Sequence, residues 1–319
     1  MHNNSHNAKA NLRMILFLIF ALTVMFVSAQ AAQAKGKLWR VGFAQDTLSI
    51  PWRAAQANTF SKTLMQDKRF QVFITNAQGS TTQQAMDAER LVKQGARVLV
   101  SSPRDGAVMT PVISALHQQG TPVVLLTRRT MNERFTTFIA PDDAQIGRHA
   151  AQHVAKLLKG KGNVLMIQGL GSASTARQRT QGFVQELANY PNVQITAQPF
   201  ANYKKEMAIL IMESILAQNV PFDAIYAHSD SMALGAILAL KRAGKDPKQI
   251  PIVSIDYTRE GRQAIKQGEI NASFTYPTCA KEGAEAVKKI LQGQAVPKYQ
   301  QVPSILVSKE NVDNIEPIF

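Results

Sequence analysis

Residues 98–129 read VLVSSPRDGAVMTPVISALHQQGTPVVLLTRR, and this stretch decides the fold. Val98 to Ser101 is a short, largely apolar run. Ala107 to Gln119 is an amphipathic stretch closed by Gly120, and Pro122 to Leu126 is a second apolar run. Continuous apolar strands without alternation suit a sheet buried on both faces, and a helix joining two of them makes a parallel βαβ unit. Gly120 stands where a helix needs a residue free to turn left-handed.

Working outward, the same alternation continues. On the N-terminal side, strands at Leu38–Ala44 and Gln71–Thr75 are predicted, with helices at Pro51–Met65 and Thr81–Gln94, the second closed by Gly95. On the C-terminal side the alternation restarts with a helix at Ala144–Leu158 that ends in Gly160-Lys161-Gly162. Strands follow at Asn163–Gln168, Gln194–Pro199, Ala224–Tyr226, Ile252–Ile255 and Ala272–Thr275. The helices between and after them are Ser174–Ala188, Tyr203–Ala217, Met232–Ala243, Arg259–Lys266 and Ala280–Leu291. Two successive sets of βα units predict an α/β chain of two doubly wound parallel-sheet domains. No low-complexity linker separates the sets, so several chain crossings are expected to form a hinge with a cleft beside it.

In open parallel sheets, ligands sit beyond the carboxyl ends of the strands. The residues there are Gln45 and Asp46 with nearby Trp52 and Arg53, then Asn76 and Gln78, Ser102 and Arg104, and Thr127, Arg128 and Arg129. In the second set they are Gly169 to Ser174 with Arg177 and Arg179, then Asn202, His228, Ser229, Asp230, Asp256 and Tyr257. Guanidinium, carboxylate and amide groups meet sugar hydroxyls, and an aromatic ring stacks on a sugar's apolar face. Each residue also has a purely structural reading. Asp230 can cap the helix near Met232, Trp52 can belong to the core, and Arg179 can pair with Glu186.

The first residues differ from the rest. Lys9 and Arg13 precede an apolar run, Met14 to Val27, and then the small-residue stretch Ser28 to Ala34. These are the three parts of a secretory signal peptide, with cleavage expected after Ala34. The alternative is an uncleaved anchor, but the run is shorter than the roughly 20 apolar residues a spanning helix needs. The single cysteine, Cys279, rules out an intramolecular disulfide and reads as a small apolar residue in a helix. No cysteine is placed to carry a lipid at the new N-terminus, so retention by an outer membrane, a Gram-negative periplasm, is expected. The net charge is +14, or +12 once Lys9 and Arg13 are set aside. The cations are scattered and no helix-turn-helix precedes the first strand, so a basic solvated surface is expected and no nucleic-acid partner.

Catalytic patterns are weak. Of six histidines, His2 and His6 fall in the leader, and none has metal-ligand spacing. Gly169 to Ser174 joins a strand to a helix but lacks the G-x-G-x-x-G order. There is no Walker sequence and no G-x-S-x-G elbow. No enzymatic activity, cofactor or metal is expected.

The chain resembles the type I periplasmic sugar-binding proteins, akin to ribose- and galactofuranose-binding proteins, across essentially the whole mature sequence. Val41 to Gln45 with Pro51-Trp52-Arg53-Ala54-Ala55 is similar to the galactofuranose-binding group, and Thr175 to Phe183 to the family's arginine helix ending in Gly-Phe. Tyr226-Ala227-His228-Ser229-Asp230-Ser231-Met232-Ala233-Leu234-Gly235-Ala236 resembles its A-x-N-D-x-M-A-x-G-A pattern, and Ser254-Ile255-Asp256 the strand ending in a ligand-binding aspartate. The resemblance implies a ligand site of Gln45, Trp52, Arg53, Arg128, Arg177 or Arg179, Ser229, Asp230 and Asp256. It implies hinge crossings at Asp142, Tyr276 and Gln301. The resulting organisation is a leader at 1–34, one lobe of 35–141 plus 276–301, and another of 142–275 plus 302–319.

Two positions depart from the family. Thr127 stands where an aspartate is usual, and Ser229 where an asparagine is usual. Losing a carboxylate beside Arg53, Arg128 and Arg129 predicts a more electropositive site, hence an acidic ligand or one with a different hydroxyl pattern. The implied function is hinge closure by a monomer around a sugar or sugar derivative, followed by delivery to a membrane ABC permease. The alternative is docking of the closed form on a membrane histidine kinase or chemoreceptor.

Overall fold

A computed structural model describes residues 38–319. The expected leader at 1–34 lies outside the described residues. Within them, no helix is long and apolar enough to cross a membrane.

The first sheet is built from β1 (Trp39–Gln45), β2 (Phe70–Asn76), β3 (Val98–Ser101), β4 (Val123–Leu126), β5 (Thr137–Ala140) and β11 (Tyr299–Gln301), in the order β11-β5-β4-β3-β1-β2. Its first helices are α1 (Pro51–Leu64), α2 (Thr81–Lys93) and α3 (Gly106–Gln118). The second sheet has the order β12-β10-β9-β8-β6-β7. Its strands are β6 (Gly162–Ile167), β7 (Val193–Ala197), β8 (Ala224–Ala227), β9 (Ile252–Asp256), β10 (Ala272–Thr275) and β12 (Leu306–Ser308). Around it run α4 (Asp143–Leu157), α5 (Ser174–Leu187), α6 (Lys205–Ala217), α7 (Asp230–Arg242) and α8 (Arg259–Gln267). The α9 helix (Ala280–Leu291) returns to pack on α1 and β4 of the first sheet.

The central strands β3, β4, β8, β9 and β10 are buried along their whole length, which is why they read as continuous apolar runs. The strand connecting β4 to the edge, β5, was not expected. It pairs in parallel with β4, Leu125 beside Phe138, after a loop with no helix, so the βα alternation gives no sign of it. The short edges β11, parallel to β5, and β12, antiparallel to β10, were also not expected.

Helix starts are fixed by caps. Ser80, Asp105, Asp142, Ser229 and Thr258 each accept a backbone N–H from the first turn that follows. The α7 helix thus begins at Asp230 with Ser229 as its cap, two residues before the expected start, and Asp230 itself is not the cap. Cys279 is not in a helix interior either; it precedes α9 in a left-handed conformation, φ 57°.

The chain passes between the sheets three times: after β5, after β10 and after β11. Asp142, Tyr276 and Gln301 stand one at each passage. Close approach of α4 and α5 depends on two glycines. A Cβ on Gly182 would lie 2.0 Å from the Ala144 carbonyl oxygen, and one on Gly147 would lie 2.2 Å from that of Arg179. That contact brings Arg179 of α5 over Asp143 at the start of α4.

Candidate functional site

A narrow cavity of about 30 Å³ lies where the carboxyl ends of both sheets meet. From the first sheet it is lined by Ile50, Trp52 and Arg53 at the start of α1 and by Arg128 after β4. From the second it is lined by Thr175 and Arg179 of α5, Tyr203 before α6, Ser229 and Ser231 at the start of α7, and Asp256 ending β9. Tyr276, at the second passage, completes it.

Two buried clusters hold the arginines. In the first, Arg128 Nη1 donates to Asp46 Oδ2 at 2.9 Å, while Arg53 Nε lies 3.8 Å from Asp46 Oδ1. Arg53 Nη1 also donates to Ser102 Oγ at 2.7 Å, and the guanidinium lies 4.8 Å from the Trp52 ring centre. Burial and the neighbouring Arg128 charge bring Arg53 down to about 10, against the pull of Asp46, so it remains a cation at neutral pH. In the second cluster, Arg179 Nε donates to Asp143 Oδ1 at 2.8 Å, and Tyr276 Oη donates to Asp143 Oδ2 at 3.0 Å. Arg179 Nη1 donates to the His228 carbonyl at 2.6 Å, and its guanidinium lies 4.2 Å from the Tyr276 ring centre. Burial pushes the Asp143 carboxyl up and Arg179 opposes it. Burial likewise works against the Arg179 charge, yet Asp143 and the surrounding groups hold the guanidinium well above its ordinary value.

Asp46 therefore supplies the carboxylate whose absence at Thr127 suggested an electropositive site. Thr127 instead turns the chain: its φ of 61°, uncommon for a β-branched residue, swings Arg128 inward. Asp256 (φ 115°), Tyr257 (φ 56°), Asn202 (φ 56°) and Tyr203 (φ 62°) occupy the same unfavoured half of conformational space around the cavity. Tyr203 lies flat over Gly169, where a Cβ would come 2.1 Å from its ring, and its hydroxyl is 3.0 Å from Thr175 Oγ1.

The Asp256 carboxyl lines the cavity unbonded. Among the described residues no hydrogen bond reaches it, and burial pushes it well above the usual carboxylate range, with Arg179 opposing. Arg128 Nε and Asp46 Oδ1 are also buried without a hydrogen-bond partner. His228 is buried and neutral. Its Nδ1 accepts from the Gly169 N–H at 3.3 Å, which puts its proton on Nε2, where no partner is present.

Of the residues singled out in the sequence, Trp52, Arg53, Arg128, Arg179, Ser229 and Asp256 line this cavity together. Gln45 lies behind it, its amide donating to Gln56 Oε1 at 3.2 Å and its carbonyl accepting from the Asp46 N–H at 3.0 Å. Arg177 is exposed, its Nη1 bound to the Ser172 carbonyl at 2.7 Å. Asp230 lies beneath the floor, bonded to Ser254, Ser273 and Thr258. Tyr203, Thr175 and Ser231 were not singled out, and Asp143 was passed over beside Asp142. Among the described residues no cluster of His, Cys, Asp and Glu is arranged to hold a metal.

The profile of the periplasmic binding protein domain family matches residues 41–295. The chain is 27% identical to a ribose import binding protein of Bacillus subtilis over 84% of this chain and 86% of that protein. The fructose-binding periplasmic domain of a hybrid two-component system superposes with a TM-score of 0.82, at 29% identity, over 86% of this chain and 92% of that one. A galactofuranose-binding protein superposes with a TM-score of 0.80, at 28% identity, over 86% and 96%.

Proposed function

Because the chain belongs to the periplasmic binding protein family, within its type I sugar-binding group, we propose that it binds a sugar or sugar derivative in the cavity and delivers it to a membrane ABC permease. The observation that carries this reading is a cavity whose walls come from both sheets and whose polar groups converge on one small space. Arg53, Arg128 and Arg179 donate, Asp256 accepts, and Trp52 and Tyr203 offer ring faces. Asp46 and Asp143 sit directly behind two of the arginines, so the charges are largely offset. A polyhydroxylated neutral ligand suits this balance better than an acid.

The proposed lobes are 35–141 plus 276–301 and 142–275 plus 302–319, hinged at Asp142, Tyr276 and Gln301. Each lobe supplies half of the contacts, so the ligand stabilises the closed form through contacts that neither half makes alone. The setting is the periplasm, reached by cleavage of the leader, and the working unit is a monomer without cofactor or enzymatic activity.

A thermal-shift screen against ribose, arabinose, galactose, fructose, allose, xylitol and myo-inositol, beside sugar acids and phosphates, tests this. A ligand at about 100 times its Kd adds roughly 2.7 kcal/mol to stability. No shift with any sugar or polyol would sink the reading. A second reading, ligand sensing at a membrane kinase or chemoreceptor, is favoured by the likeness to a domain of a two-component system. Deletion that abolishes growth on the ligand supports transport; lost gene induction with intact uptake supports sensing.

A further inference from the structure

The inner cavity is not closed on every side. Ile50, Trp52, Tyr203, Ser231 and Asp256 line both it and a second space of about 470 Å³, so a narrow inner space adjoins a wider outer one. The two rims of the cleft differ. On one, Ser172 Oγ donates to the Arg104 carbonyl at 3.2 Å, the Arg129 N–H donates to Ser174 Oγ at 3.2 Å, and Arg177 Nη2 lies 3.8 Å from the Met131 sulfur. On the other, no hydrogen bond among the described residues joins 49–51 to 203–206, and the wide space opens there. Contacts between the walls thus lie at one rim of the cavity, and the wider space adjoins it at the other.

The chemistry of the outer space says what fits it. Ile50, Pro51, Leu234 and Phe319 give it apolar surface, and Ser49 and Thr258 give it hydroxyls. Lys204 and Lys205 stand around the same space with Glu206, Glu260 and Asp256, so its cations are at least matched by acidic groups. An acidic substituent gains no net attraction there. A mixed apolar and hydroxyl lining of this size suits a second sugar ring or a compact aryl or alkyl group.

We infer that the site accepts a sugar bearing a neutral substituent, a glycoside or short oligosaccharide, with one ring held at the polar groups of the inner cavity and the substituent in the outer space. This rests on the sugar-binding reading above and extends it to a class of ligand. Isothermal titration of the protein purified from periplasm tests it, with each free sugar of the screen beside its methyl and p-nitrophenyl glycosides, its glycosyl phosphate and a disaccharide containing it. For the sugar that binds, at least one neutral extended form is expected within about tenfold of the parent. Ser49→Trp and Lys205→Trp, which fill only the outer space, are expected to weaken that extended form by about tenfold or more and the parent by less than about twofold. A parent that binds while every extended form is over about 100-fold weaker overturns the inference and leaves the sugar-binding reading standing. A phosphate that outbinds every neutral glycoside overturns it equally, as does a glycoside unaffected by both tryptophan variants. Failure of free and extended sugars alike overturns both readings.

Discussion

Asp230, which opens α7 just after β8, and Asp256, which ends the neighbouring strand β9, are both buried. Burial raises both carboxyls above the ordinary range. Their surroundings differ completely. Asp230 accepts from Ser254 Oγ at 2.6 Å, Ser273 Oγ at 2.7 Å, the Thr258 N–H at 2.6 Å and Thr258 Oγ1 at 3.2 Å. Among the described residues no such bond reaches Asp256, which lines the cavity. Burial and a raised pKa are thus common to a framework carboxyl and a ligand-facing one, and saturation of the oxygens is what separates them.

The widest split between the two is expected in stability. Asp230→Ala strands four donors in a dry site and is expected to cost roughly 3–5 kcal/mol in urea unfolding. Asp256→Asn is expected to leave unfolding unchanged or slightly harder, since it removes a buried acid with no partner. Equal losses in the two variants would break the comparison. The next effect is on ligand. Losing one buried charged acceptor costs about 1.5–3 kcal/mol, so Asp256→Asn should weaken the sugar found by thermal shift by roughly 10- to 100-fold in titration.

Acidity sharpens the contrast. The folded chain holds the Asp256 proton more tightly than the unfolded chain, whose value is near 3.8. Stability from this group is therefore full below about pH 4 and falls as pH rises toward the folded value, by at most about 1.4 kcal/mol per pH unit. Urea midpoints of the ligand-free protein should show that decline, and Asp256→Asn should flatten it. The smallest effect separates the two arginines of α5. Arg177→Ala, at the exposed rim, is expected to change unfolding by less than about 0.5 kcal/mol and sugar affinity by less than about twofold. A large loss there would mean that the rim contributes directly to binding.

Much of this arrangement was legible in the sequence because buried parallel strands are unbroken apolar runs and the helices between them carry caps. The doubly wound pattern and the polar strand ends followed from that. The strand β5 did not, because its connection from β4 contains no helix, and the three-residue edges β11 and β12 are too short to show a period. Within the site, the choice between Arg177 and Arg179 was left open, although Gly182 and Phe183 lie three and four residues after Arg179 and share with it the face packed on α4. The role of Asp46 as the counter-charge to Arg128 was not readable, since the two are 82 positions apart and meet only through the left-handed turn at Thr127. Tyr203 was hidden for the same kind of reason; its placement depends on two successive backbone conformations with positive φ, which a polar loop sequence does not announce.

Trp52 gives the molecule a consequence of a different kind. Its indole N–H donates to the Tyr276 carbonyl at 3.2 Å, its ring lies 5.6 Å from the Tyr276 ring, and Arg53 sits beside it. The sequence contains one other tryptophan, Trp39. Trp52 also belongs to the apolar cluster that holds Ile146 and Ile255 of the other wall, so a motion that parts the two walls changes the surroundings of its ring, and with them the colour and intensity of its emission. The unlabelled protein thus carries an optical gauge at the proposed hinge, readable by stopped-flow fluorescence.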